Sequence, residues 1–220
     1  MPKAWVRKEL KKEPLSNFVT KIIPWILAHR ETALSIIATL VIVVGLGVYF
    51  FYHLKKIDTR AWERLSFAQA HQQRNLSDQA INLYNEIIQR YPRAKATSYA
   101  LFYKAETLYQ QKKYTEASQT YQNFLQKYRK KRLLLPLAYL GLGTSLESEN
   151  KYLEAINIYQ EFVNKFPEHF LTPEVYLSLG RCYQISGQKN EAINTYNKVV
   201  TSYPGSNWQK IAEIHLKMLQ

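Results

Sequence analysis

Side chains able to do acid, base, nucleophilic or metal chemistry are few in this chain, and their spacing assembles no site. Five histidines, His29, His53, His71, His169 and His215, are scattered without ligand spacing. The single cysteine, Cys182, excludes an intramolecular disulfide and a cysteine-based zinc cluster, and reads as a small core residue of its helix. Glu147 and Glu149 stand two apart, so on a helix their side chains diverge, and solvated surface is expected rather than an acid/base pair. No GxxxxGK phosphate loop, GxGxxG turn, HExxH pair, GxSxG elbow or CxxC pair occurs. Gly45 and Gly47 fall inside an apolar run, where they ease helix packing rather than cradle phosphate. No catalytic, metal-ligating or cofactor-binding residue is therefore expected, no cofactor is implied, and the chain is read as not an enzyme.

Charge narrows the partner class. The chain carries 30 Lys and Arg against 17 Asp and Glu, a net +13 over 220 residues, which suits nucleic acid, anionic lipid or an acidic partner. Seven of the bases (Lys3, Arg7, Lys8, Lys11, Lys12, Lys21 and Arg30) and three acids precede a long apolar run, the arrangement of a membrane flank. The other dense cluster, Arg129, Lys130, Lys131 and Arg132, falls between two helical segments with no aromatic side chain interleaved. It reads as a solvated loop, and no nucleic-acid partner is expected.

The elements that position these residues begin with the apolar run. Thr32 to Tyr52, TALSIIATLVIVVGLGVYFFY, is 21 residues without a charge, which as a helix rising about 1.5 Å per residue matches a bilayer's hydrocarbon core of about 30 Å. A cleavable leader has an apolar region of roughly 7 to 15 residues ending in small side chains. This run ends instead in Tyr49, Phe50, Phe51, Tyr52 and His53, followed by Lys55 and Lys56, an interfacial aromatic belt with snorkelling ends. Residues 32–53 are thus expected to be an uncleaved transmembrane anchor in a lipid bilayer. Seven bases before the span against four in the fifteen residues after Tyr52 (Lys55, Lys56, Arg60, Arg64) orient the N-terminus to the cytoplasm and the remainder outside it. The expectation is a single-pass protein of the bacterial inner membrane with its C-terminal domain outside the cytoplasm, in the periplasm if the cell is Gram-negative. Residues 1–31 form the basic cytoplasmic tail. Within it Leu15, Phe18, Val19, Ile22, Ile23, Ile26 and Leu27 recur near the helical period, an amphipathic segment for the leaflet surface, interrupted near Pro24 and anchored by Trp25.

After a linker at 54–60, residues 61–220 are periodic, and seven Gly and eight Pro are too few for a turn-rich all-β domain. Ala80, Ala117, Ala155 and Ala192 are spaced by 37, 38 and 37 residues. Four residues after them stand Tyr84, Tyr121, Tyr159 and Tyr196, and twelve before them the small residues Ala68, Ala105, Gly143 and Gly180. Twelve residues after come Pro92, Pro167 and Pro204, with Arg129 in the second unit. Each unit then holds two antiparallel helices. The small residues let the backbones approach, tyrosine fills the space beside the contact, and proline ends the second helix.

These columns resemble the tetratricopeptide repeat (TPR) family, with a period slightly longer than that family's usual one. The resemblance implies an all-α solenoid following the transmembrane helix: hairpins over about 61–92, 98–129, 136–167 and 173–204, and a capping helix over about 207–219 whose Ile211, Ile214, Leu216 and Leu219 shield the end of the stack. It also implies a concave groove lined by the first helix of each hairpin, on the helices containing Tyr99, Tyr103, Lys104, Tyr139, Tyr176 and Arg181. Tyr103, Lys104 and Arg181 lie off the signature columns and are the candidate groove contacts. In the first unit His71 stands where the others have Leu108, Leu146 and Tyr183, so its stacking differs.

A basic tail containing VRKELKKEP, one span and an extracytoplasmic repeat domain together resemble the ancillary subunit of the bacterial Sec translocon. That likeness implies an interaction scaffold whose partners are Sec translocon subunits and periplasmic chaperones, assisting translocation or chaperone handover. Two other readings fit the same parts: an adaptor for envelope assembly or division, and, with the orientation reversed, a cytoplasm-facing scaffold that recruits partners to the membrane.

Overall fold

The computed structural model describes residue 24 and residues 26–219. The basic tail, and the amphipathic segment up to Ile23 together with Trp25, lie outside the described residues. Among the described residues regular structure is helical throughout, and the chain divides into two compact units, Met1–Lys56 and Ile57–Gln220. Helix α1, Arg30–Gln73, contains the apolar run. From Leu34 to Tyr52 the side chains are exposed on every side, Leu40 at 60%, Val41 at 64% and Phe51 at 72%. This helix is long and apolar enough to cross a membrane. Residues 54–60, read from the sequence as a linker, are helical and belong to α1. No Gly or Pro occurs between Val48 and Tyr91 to break the helix.

In the second unit the end of α1 pairs with α2 (Ser77–Arg90), and three more antiparallel pairs follow: α3 (Ala96–Gln110) with α4 (Tyr114–Lys127), α5 (Leu135–Ser148) with α6 (Tyr152–Lys165), and α7 (Thr172–Ile185) with α8 (Lys189–Ser202). Helix α9, Asn207–Met218, packs on α7 and α8.

The turn inside each pair is one motif used four times. Asn75, Lys112, Asn150 and Gly187 are left-handed, with φ of 60°, 61°, 61° and 80°. The next residue's N–H returns to a carbonyl five residues earlier: Leu76 to His71, Lys113 to Leu108, Lys151 to Leu146 and Gln188 to Tyr183, each at 2.9 Å. This is a Schellman cap, which satisfies the last carbonyls of the first helix and reverses the chain. Three of the four loops that follow a pair are closed by hydroxyls, the loop between α4 and α5 being the exception. Thr97 donates to the Tyr91 carbonyl, Thr172 to Phe166 and Ser206 to Tyr203.

Packing explains the small-residue column. A Cβ built on Gly143 would lie 2.2 Å from the Tyr159 ring, and one on Gly180 would lie 2.6 Å from Tyr196. Tyr84, Tyr159 and Tyr196 are fully buried, so these rings occupy the space a side chain would take. The buried apolar residues fall into two clusters. One runs from Ala61 to Ala100, the other from Leu101 to Ala212, and half-buried Ile88, Tyr99 and Tyr103 pack against both.

The terminal helix corrects one expectation. Ala212 is buried, and Trp208, Leu216 and Leu219 pack against the core. Ile211 and Ile214, expected to shield the stack, are 39% and 58% exposed. The stacking of His215 on Tyr196, with centroids 4.9 Å apart and planes at 6°, sets the rotation of α9 and turns Ile211 and Ile214 outward. Burial, and then the Arg181 charge, hold His215 below its ordinary pKa.

Two outcomes follow. Lys112 alone among the four turn positions is neither Gly nor Asn, so Lys112→Gly should raise stability by about 1 kcal/mol, read as a higher Tm. For His215 the unfolded chain takes up the proton first, so its contribution is complete above the ordinary histidine pKa and declines as pH falls through that range. Tm measured from pH 7.5 down to about pH 5.5 should fall more steeply for the natural chain than for His215→Phe, which keeps the stack without the titration.

Candidate partner groove

Contacts between successive pairs locate the inner face of the repeat unit. Helix α3 touches α5, and α7 touches α9, whereas α4, α6 and α8 make no contact of that extent with one another. First helices therefore lie on the inside of the curve, and second helices fan out on the outside. Across α1 and α3 the same closeness appears in side chains. Gln72 Nε2 donates to Gln110 Oε1 at 3.3 Å, and the Trp62 and Tyr99 rings lie 5.2 Å apart.

The tyrosine column continues into this face. Tyr84 donates to Gln72 Oε1 at 2.7 Å, Tyr159 to Glu147 Oε2 at 3.1 Å and Tyr196 to Gln184 Oε1 at 3.4 Å, each to a residue twelve positions earlier. A buried hydroxyl needs a partner, and the first helix supplies it from its inner edge. In the second pair that position is Tyr109, whose hydroxyl lies 3.4 Å from Ser148 Oγ.

Between α1 and α3 the inner face opens into a cavity of about 600 Å³ lined by Gln69, Gln72, Gln73, Asn75, Tyr103, Glu106 and Gln110. Tyr103 forms one wall, stacked on Tyr84 at 6.4 Å and edge-on to Phe102 at 5.5 Å. Burial pushes the Glu106 carboxyl above its ordinary pKa. Farther along, Arg181 donates through Nε and Nη2 to both Glu147 oxygens, the second at 3.0 Å, and through Nη2 to Ser178 Oγ at 3.2 Å. Next to this fork Cys182 is buried, and its thiol is pushed up to about 12, first by burial and then by Glu147, leaving little thiolate at neutral pH.

The three candidate groove residues fare differently. Tyr103 lines the cavity. Arg181 lies at this face, with its charge committed to Glu147. Lys104 is rotated by about 100° from Tyr103 on a helix of 3.6 residues per turn. Burial lowers its pKa, against the attraction of Glu116 on α4. It therefore faces the second helix of its own pair, away from the cavity.

Tyr139 and Tyr176 also face second helices. Tyr139 donates to Glu161 at 3.0 Å beneath the Lys165 ammonium, and Lys198 sits 4.7 Å over the Tyr176 ring. The carboxylates read as solvated surface are both structural. Glu147 holds Tyr159 and Arg181, whereas the Glu149 side chain is 7% exposed and accepts from Ser118 at 2.6 Å and Thr115 at 3.0 Å. Burial pushes the Glu149 pKa up, and the bonds from Lys151, Ser118 and Thr115 bring it below the ordinary value. In the basic loop, Lys131 reaches within 5.7 Å of the Tyr99 ring.

Sequence reasoning passed over Glu106 and the glutamines around it. Gln72, Glu147 and Gln184 do share a column, eight residues before the alanines, and that spacing could have located the inner edge. Glu106, Gln69 and Gln73 vary from unit to unit and leave no periodic trace.

Comparison with known proteins places this geometry. No curated protein matches the chain. Among solved structures, MamA from Desulfovibrio magneticus RS-1, residues 41 to the end, superposes with a TM-score of 0.60 at 18% identity, covering 72% of this chain and 82% of that one. A tetratricopeptide repeat protein from Parabacteroides merdae gives 0.63 at 15% identity, over 72% and 59%. The nearly identical TPR-like repeats of a putative kinesin light chain from Podosopora anserina give 0.60 at 15%, over 74% and 86%. At these identities the likeness is one of fold. The family profile itself extends over residues 27–220, taking in the apolar run as well as the repeats, and the chain belongs to the tetratricopeptide repeat-like domain family.

Proposed function

We propose that this chain is a membrane-anchored adaptor whose inner groove holds an extended segment of a partner protein. The TPR-like fold is a protein–protein interaction scaffold. The observation that carries the finer reading is the cavity between α1 and α3, where four glutamine amides and a carboxylate are gathered on helices, with the Asn75 amide on the turn beside them. Amides both donate and accept, which suits the backbone of an extended segment. The anchor rests on the uncharged run of α1, exposed all round, and on the family match that includes it. From the likeness of tail, span and repeat domain to the ancillary Sec subunit, the partners are translocon subunits and periplasmic chaperones, met as proteins emerge from the membrane.

A second reading has the repeat unit in the cytoplasm, and the bases that follow the apolar run, Lys55, Lys56, Arg60 and Arg64, favour it through the same charge rule.

One experiment separates these. A photo-crosslinking amino acid at Gln73 in the full chain, in its own membranes, should trap partner proteins that the same group at Gln119, exposed on α4, does not. Equal labelling from both positions would remove the groove. Protease added to intact spheroplasts should digest the repeat unit together with its adducts. Protection of the unit, with cytoplasmic proteins in the adducts, would replace the first reading with the second.

A further inference from the structure

The repeat unit from Ile57 onward is basic, with 21 Lys and Arg against 14 Asp and Glu, and its partly buried carboxylates are characteristically tied. Glu86 pairs with Arg90 at 3.0 Å, Glu147 with Arg181 and Glu149 with Lys151 at 2.8 Å. Glu106, like Glu174 on α7, is not tied in this way, and of the two it is Glu106 that lines the cavity. It is half-buried, yet among the described residues it has no ion pair and no hydrogen bond, and no Lys or Arg lines its cavity. Lys104, two positions earlier, does not line the cavity, and the carboxylate whose charge it feels is Glu116 on α4. The charge of Glu106 is felt instead by Tyr84 and Tyr121, whose hydroxyls it pushes further up in pKa, after the larger effect of burial on both and of Tyr103 on Tyr84.

An ionised carboxylate withdrawn from water without a counter-charge is costly, and a cation brought to it recovers that cost. The rest of the cavity is made for such a guest. Gln72 and Gln110 are engaged with each other, and Gln72 with Tyr84. The side-chain amides of Gln69, Gln73 and Asn75 make no hydrogen bond among the described residues and leave their oxygens as acceptors. Tyr103 adds an aromatic wall. The cavity volume, about 600 Å³, lies in the range of roughly 300–1,000 Å³ of pockets that bury a ligand group. A bare metal ion is a poorer guest, since no group of three His, Cys, Asp or Glu side chains gathers here among the described residues.

We infer that this cavity receives one lysine or arginine side chain of an extended partner segment, its cationic head set against the Glu106 carboxylate and its N–H groups on the surrounding amide oxygens. The inference rests on the groove reading above and adds the chemistry of the residue it selects. Specificity comes from what is rejected as well: an acidic side chain at that point of the segment would bring two carboxylates together in a half-dry site.

The test is to pan a phage-displayed library of random linear peptides against the full chain in detergent micelles, in parallel with Glu106→Gln and Glu106→Lys. The natural chain should enrich Lys or Arg at one fixed position. Glu106→Gln should lose that preference, Glu106→Lys should turn it to Asp or Glu, and a peptide selected on the natural chain should bind Glu106→Gln about tenfold more weakly, with a reduced salt dependence. Circular dichroism identifies any variant that fails to fold, and the selection on the natural chain stands without it. Peptides that are displaced by a bulky thiol label at Gln73→Cys, yet carry no basic preference, would overturn the inference and leave the groove. Peptides that are not displaced by that label, or no selected peptides at all, would remove both.

Discussion

Four tyrosines set the terms for the repeat unit. Each lies at the crossing of a hairpin's two helices, three of them fully buried and Tyr121 nearly so, and a tyrosine in that place makes two demands. Its ring requires a small residue opposite, which is why Gly143 and Gly180 stand where any Cβ would overlap the ring. Its hydroxyl requires an acceptor, which Gln72, Glu147 and Gln184 provide from the first helix one residue before its end. The second demand reaches the surface. Because the acceptors stand on the inner edge, the same residues that satisfy the core also furnish the groove, and Glu147 carries the relay onward to Arg181 on the next first helix.

Much of this was legible beforehand because a repeat tests each position several times. Ala80, Ala117, Ala155 and Ala192 with their tyrosines fixed the register, and the hairpin limits followed from it. The turn column of Asn75, Lys112, Asn150 and Gly187 has the same spacing and was missed because three residue types share one backbone conformation that the letters alone do not announce. The groove was less legible for a physical reason. Lys104 and Tyr103 are neighbours in sequence, and only the rotation of α3, set by burial of Phe102 and Ala105, decides which of them meets the cavity. Glu106 carries its meaning through the absence of a partner, which no residue pattern records.

The terminal helix makes the same point. Ile211 and Ile214 have the spacing of a core stripe, yet a more exacting contact, the stack of His215 on Tyr196, fixes the rotation of α9 and leaves them outside. Where apolar periodicity and one well-defined aromatic contact disagree, shape complementarity decides.

The division of the core into two clusters, meeting only through half-buried Ile88, Tyr99 and Tyr103, bears on how the repeat unit comes apart. In a linear array, stability is a sum of unit terms and nearest-neighbour terms, and the smallest neighbour term marks where cooperativity breaks. Here the buried core divides within α3, whose Ala96 and Ala100 pack with the first hairpin and whose Leu101, Phe102 and Ala105 pack with the hairpins after it. The cavity around Glu106 bridges the first hairpin and the next, with α1 on one side and α3 on the other. Whatever segment occupies it binds the joined form and not the parted one, so occupancy is converted into cohesion of the array.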